Sequence, residues 1–471
     1  MLPLELIALM PYLLLAVGGL LVLLVGTGSG SGSQSDFWPA ATAVFFLFLS
    51  ALGFALPWGA HTILLNSLVF DPFSQRLGLL FVAGGLATVM LAYRYTPRLD
   101  NKDETLYALV LFAVLGMCML DSAANLLTAF LGLELLAVPL FGLIAWQPQR
   151  RGAVEGGIKY GVLAGVAAAF FAYGVALFYV DSGTLTLSQG QLPPGGVAPD
   201  AILLLSSSLL LVAVGFELAI VPFHMWAPDI YQAAPAPVTT LLGSVAKMAV
   251  LAFLIRLFGQ QLPQVWSFFI PLLYALALAS MIVGNLLALR QQNIKRLLAY
   301  SAIAHIGYIL VAMTGGSEES IKAAIYYTIA YAVTSVTVFA VVTALALEGG
   351  DRESLQAWQG LGRRYPVCGL IMTLGLLSLA GIPPTVGFFA KLLAFTAALA
   401  AGHTVLVVVA VLTTAVSFYY YLRVVVVMFK PGEAPAGQPV GWGIGITLAA
   451  SAVLTLGLGV FAEPLLQLAA F

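Results

Sequence analysis

The sequence predicts an all-α polytopic membrane protein of fourteen transmembrane helices, and three observations predict it. Of 471 residues, 61% are hydrophobic and only 8% charged, with a mean hydropathy of +1.02, whereas a soluble domain carries about 25% charge. Charges and Gly/Pro/Ser clusters cut the chain into apolar stretches of about 20 residues, the length that crosses a bilayer. The basic residues, finally, fall almost entirely into alternate loops. This composition excludes soluble enzymes and secreted disulfide scaffolds. A net charge of −1 supplies no basic face for nucleic acid.

The first span, 4–26, carries Glu5 where a cleaved signal peptide would carry Lys or Arg, so it is expected to remain in the membrane. Gly28–Ser35, Gly-Ser-Gly-Ser-Gly-Ser-Gln-Ser, is a flexible loop. Span two, 39–57, runs between Pro39 and Pro57; span three, 72–93, opens at Pro72 and stops before Arg94. Spans four, 104–121, and five, 123–146, meet at Asp121, and Gln147–Arg151 closes the fifth. Span six, 153–180, ends at Asp181, span seven, 201–223, follows Asp200, and span eight, 236–257, runs out near Arg256. Span nine, 267–290, ends on Arg290; span ten, 295–314, opens with Lys295 and Arg296; span eleven, 319–347, precedes Glu348. Pro366 opens span twelve, 366–401, His403 precedes span thirteen, 404–428, and Gly441 opens span fourteen, 441–467. The longest loops, 181–200 and 348–365, are too short to be domains.

Sidedness tests the count. With the N-terminus on one face, the opposite face holds Arg94, Arg98, Lys102, Arg150, Arg151, Lys159, Arg290, Lys295, Arg296, Arg352, Arg363, Arg364, Arg423 and Lys430, and the N-terminal face only Arg76, Arg256 and Lys322. The positive-inside rule makes the richer face cytoplasmic and places both termini on the outer side. Lys247 and Lys391 belong to neither face.

Span six opens Glu155-Gly-Gly-Ile-Lys159 and span eleven Glu319-Ser-Ile-Lys322, five spans later. Five is odd, so a second copy lies inverted, as in many secondary transporters. Span seven breaks at Pro222 and span twelve at Gly381-Ile-Pro-Pro384, again five spans apart. Proline removes a backbone donor, and in lipid the freed carbonyls need protein or water. Two such breaks point to a hydrated site near mid-membrane.

A charge at the bilayer centre costs roughly 2.5–3.5 kcal/mol on insertion scales, so each one needs a reason. Glu134 lies near the middle of span five, Glu217 just before the break in span seven, Lys247 near the middle of span eight and Lys391 just after the break in span twelve. Their functional reading is a proton path through groups whose protonation is set by desolvation and neighbouring charge; the plainer alternative is a static Glu134–Lys247 ion pair. His224, beside the Pro222 break, and His305 are candidate relay groups. Lys295, Arg296 and Tyr300 begin span ten and also fit the role of interfacial anchors. The run Phe418-Tyr-Tyr-Tyr421 reads as packing and interface anchoring. Cys118 and Cys368 are too few for an iron–sulfur cluster. The histidines, 61, 224, 305 and 403, are scattered, and no dinucleotide or metal motif occurs. No cofactor is expected in this chain.

The run from Val221 to Val238, Val-Pro-Phe-His-Met-Trp-Ala-Pro-Asp-Ile-Tyr-Gln-Ala-Ala-Pro-Ala-Pro-Val, resembles the signature of the antiporter-like membrane subunits of respiratory complex I and of Mrp-type cation/proton antiporters. Asn293–Tyr308, Leu379–Lys391 and Ser417–Arg423 are similar to the subunit N family of bacterial NADH-quinone oxidoreductases, counterpart of NADH dehydrogenase subunit 2. The resemblance covers Asp71 to Arg423. It implies two inverted five-helix repeats, 104–257 and 267–428, preceded by helices 1–3 in 1–103 and followed by a last helix in 441–471. It also implies proton translocation driven by electron transfer in partner subunits that hold NADH, FMN, Fe–S clusters and quinone, beside other membrane subunits in a bacterial inner membrane. By motif, Glu134, Lys247 and Lys391 match the family's buried acidic and basic positions. Glu217 departs from it: a lysine usually stands there, paired with the span-five glutamate. Two carboxylates side by side would tend to share one proton; alternatively Glu217 pairs with Lys247, or the subunit no longer pumps. An Mrp-type antiporter subunit is the alternative reading of the whole chain.

Overall fold

The computed structural model describes residues 3–28, 37–56, 62–93, 95, 103–147, 149–187, 200–347, 350–432 and 441–463. Arg94, Arg98, Lys102, His61 and most of Gly28–Ser35 lie outside the described residues. The helices are α1 (Pro3–Gly28), α2 (Phe37–Ala55), α3 (Pro72–Tyr93), α4 (Asp103–Asp121), α5 (Leu126–Ile144), α6 (Arg151–Ser182) and α7 (Ala201–Leu218). There follow α8 (Trp226–Ala233), α9 (Ala236–Thr240), α10 (Ala246–Ile255), α11 (Pro263–Leu289), α12 (Ile294–Met313), α13 (Glu318–Ala344) and the single turn α14 (Leu361–Arg364). The last four are α15 (Pro366–Ala380), α16 (Val386–Ala400), α17 (Thr404–Phe429) and α18 (Trp442–Val460).

Thirteen helical segments among the described residues are long and apolar enough to cross a membrane, against the fourteen expected. The difference is span twelve. Its residues form two helices of 15 residues, α15 and α16, each about 22 Å long at 1.5 Å per residue, too short to cross alone. Among the described residues two short strands, β1 (Thr62–Leu64) and β2 (Leu68–Phe70), form an antiparallel hairpin between α2 and α3. Three-residue strands are too short to show a periodic pattern in sequence.

Lys247 lies in the most buried helical segment. The segment Ala236–Gly259 is wholly enclosed, and α12 and α13 nearly so, whereas α6 and α17 turn much of their surface outward. Pi-helical turns interrupt the enclosed segment at Leu241–Val245 and Arg256–Gln261; such turns are frequent at functional sites.

The two helix breaks are built alike. α7 stops at Leu218, short of Pro222, because the residue before a proline is pushed out of the helical region. Ala219 turns into the left-handed region (φ +57°), and the Val221–Pro222 bond is cis. α15 stops at Ala380, Gly381 takes the left-handed position (φ +87°), and Pro383–Pro384 is cis. Leucine and alanine backbones thus end at carbonyls that no further helical turn can cover.

Candidate functional site

At the first break the carbonyls of Gly215, Phe216 and Leu218 find donors. The Ala219 N–H donates to Phe216 O at 2.8 Å and the Ile220 N–H to Gly215 O at 2.9 Å. Trp226 Nε1 also donates to Phe216 O, at 2.9 Å. The last carbonyl, Leu218 O, accepts from Lys247 Nζ at 2.7 Å. Lys247, 2% exposed, is the second residue of α10, directly after the first π-helical turn, and its ammonium lies 5.9 Å from the centre of the Trp226 ring. Glu217, beside Leu218, is buried and accepts from Tyr160 Oη at 3.3 Å. Tyr160 packs edge-on against Trp226, 5.5 Å between ring centres. Glu217 lies within electrostatic reach of both Glu134 and Lys247.

The static Glu134–Lys247 ion pair is not what the geometry gives. Among the described residues neither Glu134 nor Glu217 forms an ion pair with Lys247 within 4.0 Å, and Lys247 spends its hydrogen bond on the helix end. Half-buried Glu134 on α5 acts on both Glu217 and Tyr160 through space.

The second break repeats the arrangement. Gly381 and Ile382 N–H groups donate to Leu377 O, both at 3.0 Å. Ala380 O, the last carbonyl of α15, accepts from Lys391 Nζ at 3.1 Å. Lys391 is buried, and its ammonium sits 4.9 Å from the centre of the Tyr308 ring. His305, on the same helix as Tyr308 and within electrostatic reach of Lys391, is held from both ring nitrogens: Nδ1 by Tyr327 Oη and Nε2 by Tyr421 Oη, each at 3.1 Å. Tyr421 also bonds Ser301. Asn285 bonds Tyr308 Oη at 3.1 Å and accepts from Tyr420 Oη at 3.1 Å. Tyr420 and Tyr421 therefore do more than pack.

Tyr331 joins the two centres. Its ring lies 5.3 Å from His305, and its hydroxyl donates to Gly243 O at 2.9 Å, inside the π-helical turn that precedes Lys247. Glu134, Tyr160, Glu217 and Lys247 thus gather at the first break and His305 and Lys391 at the second, with Tyr331 packed near His305 and bonded to the turn that precedes Lys247.

Lys295 is no surface anchor. It is wholly buried and pairs with equally buried Asp351 at 2.6 Å, while also donating to Ala234 O at 2.7 Å; Tyr95 Oη donates to the other Asp351 oxygen at 3.0 Å. Beside it, Glu353 accepts from Arg150 at 2.8 Å, Gln232 at 2.9 Å and Asn293 at 3.1 Å. Asp229 pairs with Arg296 at 2.6 Å. These residues share the charge-rich face. Two of the sequence candidates stay apart: His224 sits buried in the broken stretch with Nδ1 lacking a hydrogen-bond partner, and half-buried Tyr300 on α12 presses its backbone carbonyl toward Gly284 of α11. Tyrosines 160, 308, 327, 331 and 421 and Asn285 were not singled out by sequence, because a tyrosine in an apolar span reads as packing or an interface anchor. Among the described residues no group of three His, Cys, Asp or Glu side chains could hold a metal ion.

Helices broken in mid-span, each with a buried lysine on its last carbonyl, define an antiporter-like membrane subunit. Residues 123–417 match the family described as NADH:quinone oxidoreductase/Mrp antiporter, transmembrane. Over 375 residues, 78% of this chain and 77% of the relative, the sequence is 38% identical to NADH-quinone oxidoreductase subunit N of Halorhodospira halophila (strain DSM 244 / SL1). A chain of respiratory complex I from Thermus thermophilus with bound aureothin matches with a TM-score of 0.83 at 36% identity, covering 98% of this chain and all of that one. The Mrp complex of Dietzia sp. DQ12-45-1b shares the fold, with a TM-score of 0.86 at 21% identity, covering all of this chain and 97% of that one. The chain belongs to the NADH-quinone oxidoreductase subunit N family.

Proposed function

We propose that this chain translocates protons as a membrane subunit of an NADH-quinone oxidoreductase. It carries out no redox chemistry; NADH, FMN, Fe–S clusters and quinone belong to partner subunits, whose electron transfer drives the path. The observation that carries the reading is the repeated construction at the two breaks, a buried lysine donating to the terminal carbonyl of an interrupted helix, joined by hydrogen-bonding tyrosines and His305. Protons pass among Glu134, Glu217, Lys247, His305 and Lys391, with His224, Lys295 and Tyr300 the remaining candidates. The helices 104–257 and 267–428 form the two inverted repeats, α15 and α16 together make the fourteenth crossing, and the charge-rich face is cytoplasmic in a bacterial inner membrane with both termini outside.

The Mrp-type alternative is the weaker reading, because that likeness rests on 21% identity and so concerns the fold. Glu217 gives the test. In the assembled complex, Glu217→Gln removes the exchangeable proton and keeps the shape, so proton pumping falls while electron transfer continues; unchanged pumping removes Glu217 from the path. Mild-detergent purification brings Fe–S and flavin subunits with the chain, and recovery with antiporter subunits alone overturns the assignment.

A further inference from the structure

A second group of buried charges lies at the opposite end of the helix that carries Lys247. Asp121, the last residue of α4, is 1% exposed, and neither of its carboxyl oxygens has a hydrogen-bond partner. Around it stand Tyr12 of α1, Cys118 one turn back on α4, Asp71 at the start of α3, and Arg256 at the end of α10. Arg256 and Asp71 form a two-pronged pair, Nη1 to Oδ2 at 2.8 Å and Nη2 to Oδ1 at 3.0 Å, and the guanidinium lies over Phe73, 5.0 Å from its ring centre. The Ser74 N–H donates to Asp71 Oδ1 at 2.7 Å. Burial pushes Asp71 up, but the Arg256 bonds and charge and the Ser74 bond hold it below the usual carboxylate range.

The single guanidinium charge is therefore already matched by Asp71, and Asp121 is a second acid left over. A bare buried carboxylate is strongly unfavourable unless it is neutralised or hydrogen-bonded, and buried polar atoms without protein partners are where ordered waters sit. Arg256 Nε, also buried and without a hydrogen-bond partner, is a further donor to such a water. The hairpin covers the group: the Val69 N–H donates to Ser122 O at 2.6 Å, and Leu68 bridges Ala123. Arg256 follows Lys247 by nine residues of one continuous helical segment, about 13 Å along the axis.

We propose that Asp121 is a proton-exchanging group of this subunit, taking protons from Lys247 by way of ordered water and passing them to the charge-poor, outer face. The step is a proton transfer: an N–H bond of the Lys247 ammonium breaks, a water relay carries the proton, and an O–H bond forms on Asp121. That O–H bond then breaks toward the outer water, and Arg256 faces the carboxylate left behind. Tyr12, whose buried hydroxyl likewise has no hydrogen-bond partner, lies within electrostatic reach of Asp121 and is a second group for the same ordered water. This rests on the pumping role proposed above.

The test uses the whole complex in proteoliposomes, comparing Asp121→Asn, Asp121→Glu and Lys247→Ala for electron transfer and for protons moved per electron. Asp121→Asn is expected to lose pumping to the level of Lys247→Ala with electron transfer retained, and Asp121→Glu to restore it. Infrared difference spectra are expected to show a protonated-carboxyl band in wild type that Asp121→Asn lacks, a signature that a purely structural aspartate does not produce. Normal pumping by Asp121→Asn beside a defective Lys247→Ala overturns the inference alone. Normal pumping by both overturns the pumping role and the inference with it. A band that persists in Asp121→Asn, or is missing from wild type, also overturns it. If Asp121→Asn does not assemble, Tyr12→Phe carries the test: lost pumping supports the inference, and wild-type pumping overturns it.

Discussion

Gly387→Ala should disable the Lys391 centre without touching a charge. Gly387 opens α16 and its N–H donates to Ser378 Oγ at 3.2 Å, which docks one half of the broken span onto the other. A Cβ at this position would stand 1.9 Å from Ser378 O and 2.7 Å from its carbonyl carbon, both backbone atoms, against 3.4 Å or more for ordinary contact. The halves must separate by about 1.5 Å, the difference between those distances. Lys391 is one helical turn further along the same face, and its 3.1 Å bond to Ala380 O does not survive such a shift. Overpacking costs about 1–3 kcal/mol and the lost charged hydrogen bond about 1.5–3 kcal/mol, so together about 2.5–6 kcal/mol. The control is Gly457→Ala in α18, where an added Cβ meets nothing within 4 Å. Thermal unfolding of the purified complex and protons pumped per electron in vesicles are the two readouts. Gly387→Ala should lower both and Gly457→Ala neither. A Gly387→Ala complex with normal stability and pumping would refute the claim that α15 and α16 are held by this contact.

Other expectations follow from the same bonds. Asp71→Ala takes both hydrogen bonds from the buried Arg256 guanidinium, leaving the unbonded Asp121 as the acid beside it, and should cost about 3 kcal/mol, whereas the double change Asp71→Ala/Arg256→Met should cost less; equal losses in unfolding experiments would deny the coupling. Because Asp71 is held below the usual carboxylate range, its stabilisation is full above the unfolded value, about 3.9, and disappears as pH falls through the lower folded value. Acid unfolding of Asp71→Asn should therefore lack that component. Tyr421→Phe removes the partner of His305 Nε2 and of Ser301; it should reduce pumping and cost about 1–3 kcal/mol for the buried groups left unpaired. Asp351→Ala leaves Lys295 buried without its counter-charge and should impair assembly, while Lys159→Ala, whose partner Glu155 is exposed, should leave it intact.

Much of this was legible because charge is rare in the chain. Lys247 and Lys391 stand out with no other charge nearby in their spans, and Pro222 and Pro383-Pro384 mark the breaks directly. The tyrosines were not legible, since nothing in the local pattern separates Tyr421, which holds His305, from Tyr419, which is exposed. Nor were the charges near span ends. Asp71, Asp121 and Arg256 are placed where loops begin, and only tertiary packing brings residues 185 apart in sequence into a buried pair. Lys295 was ambiguous for the same reason: its partner Asp351 lies in a loop 56 residues away.

The partner of each lysine suits it to the proton exchange proposed above. A lysine paired to a carboxylate leaves a bare buried anion when it loses its proton, which is expensive. Lys247 on Leu218 O and Lys391 on Ala380 O are each paired instead with the end of a helix, whose unsatisfied carbonyls carry about half a negative charge. That partial charge stabilises the ammonium. It leaves no ion stranded when the proton departs, because a neutral amine still has N–H groups to donate to the same carbonyl. Breaking a helix beside each lysine thus supplies an acceptor suited to both protonation states, and the acid nearby, Glu217 at the first break, remains free to favour one state over the other. Glu217 thus sets a negative neighbour on Lys247, where the resemblance implies a lysine, while the helix end supplies the hydrogen bond that holds Lys247.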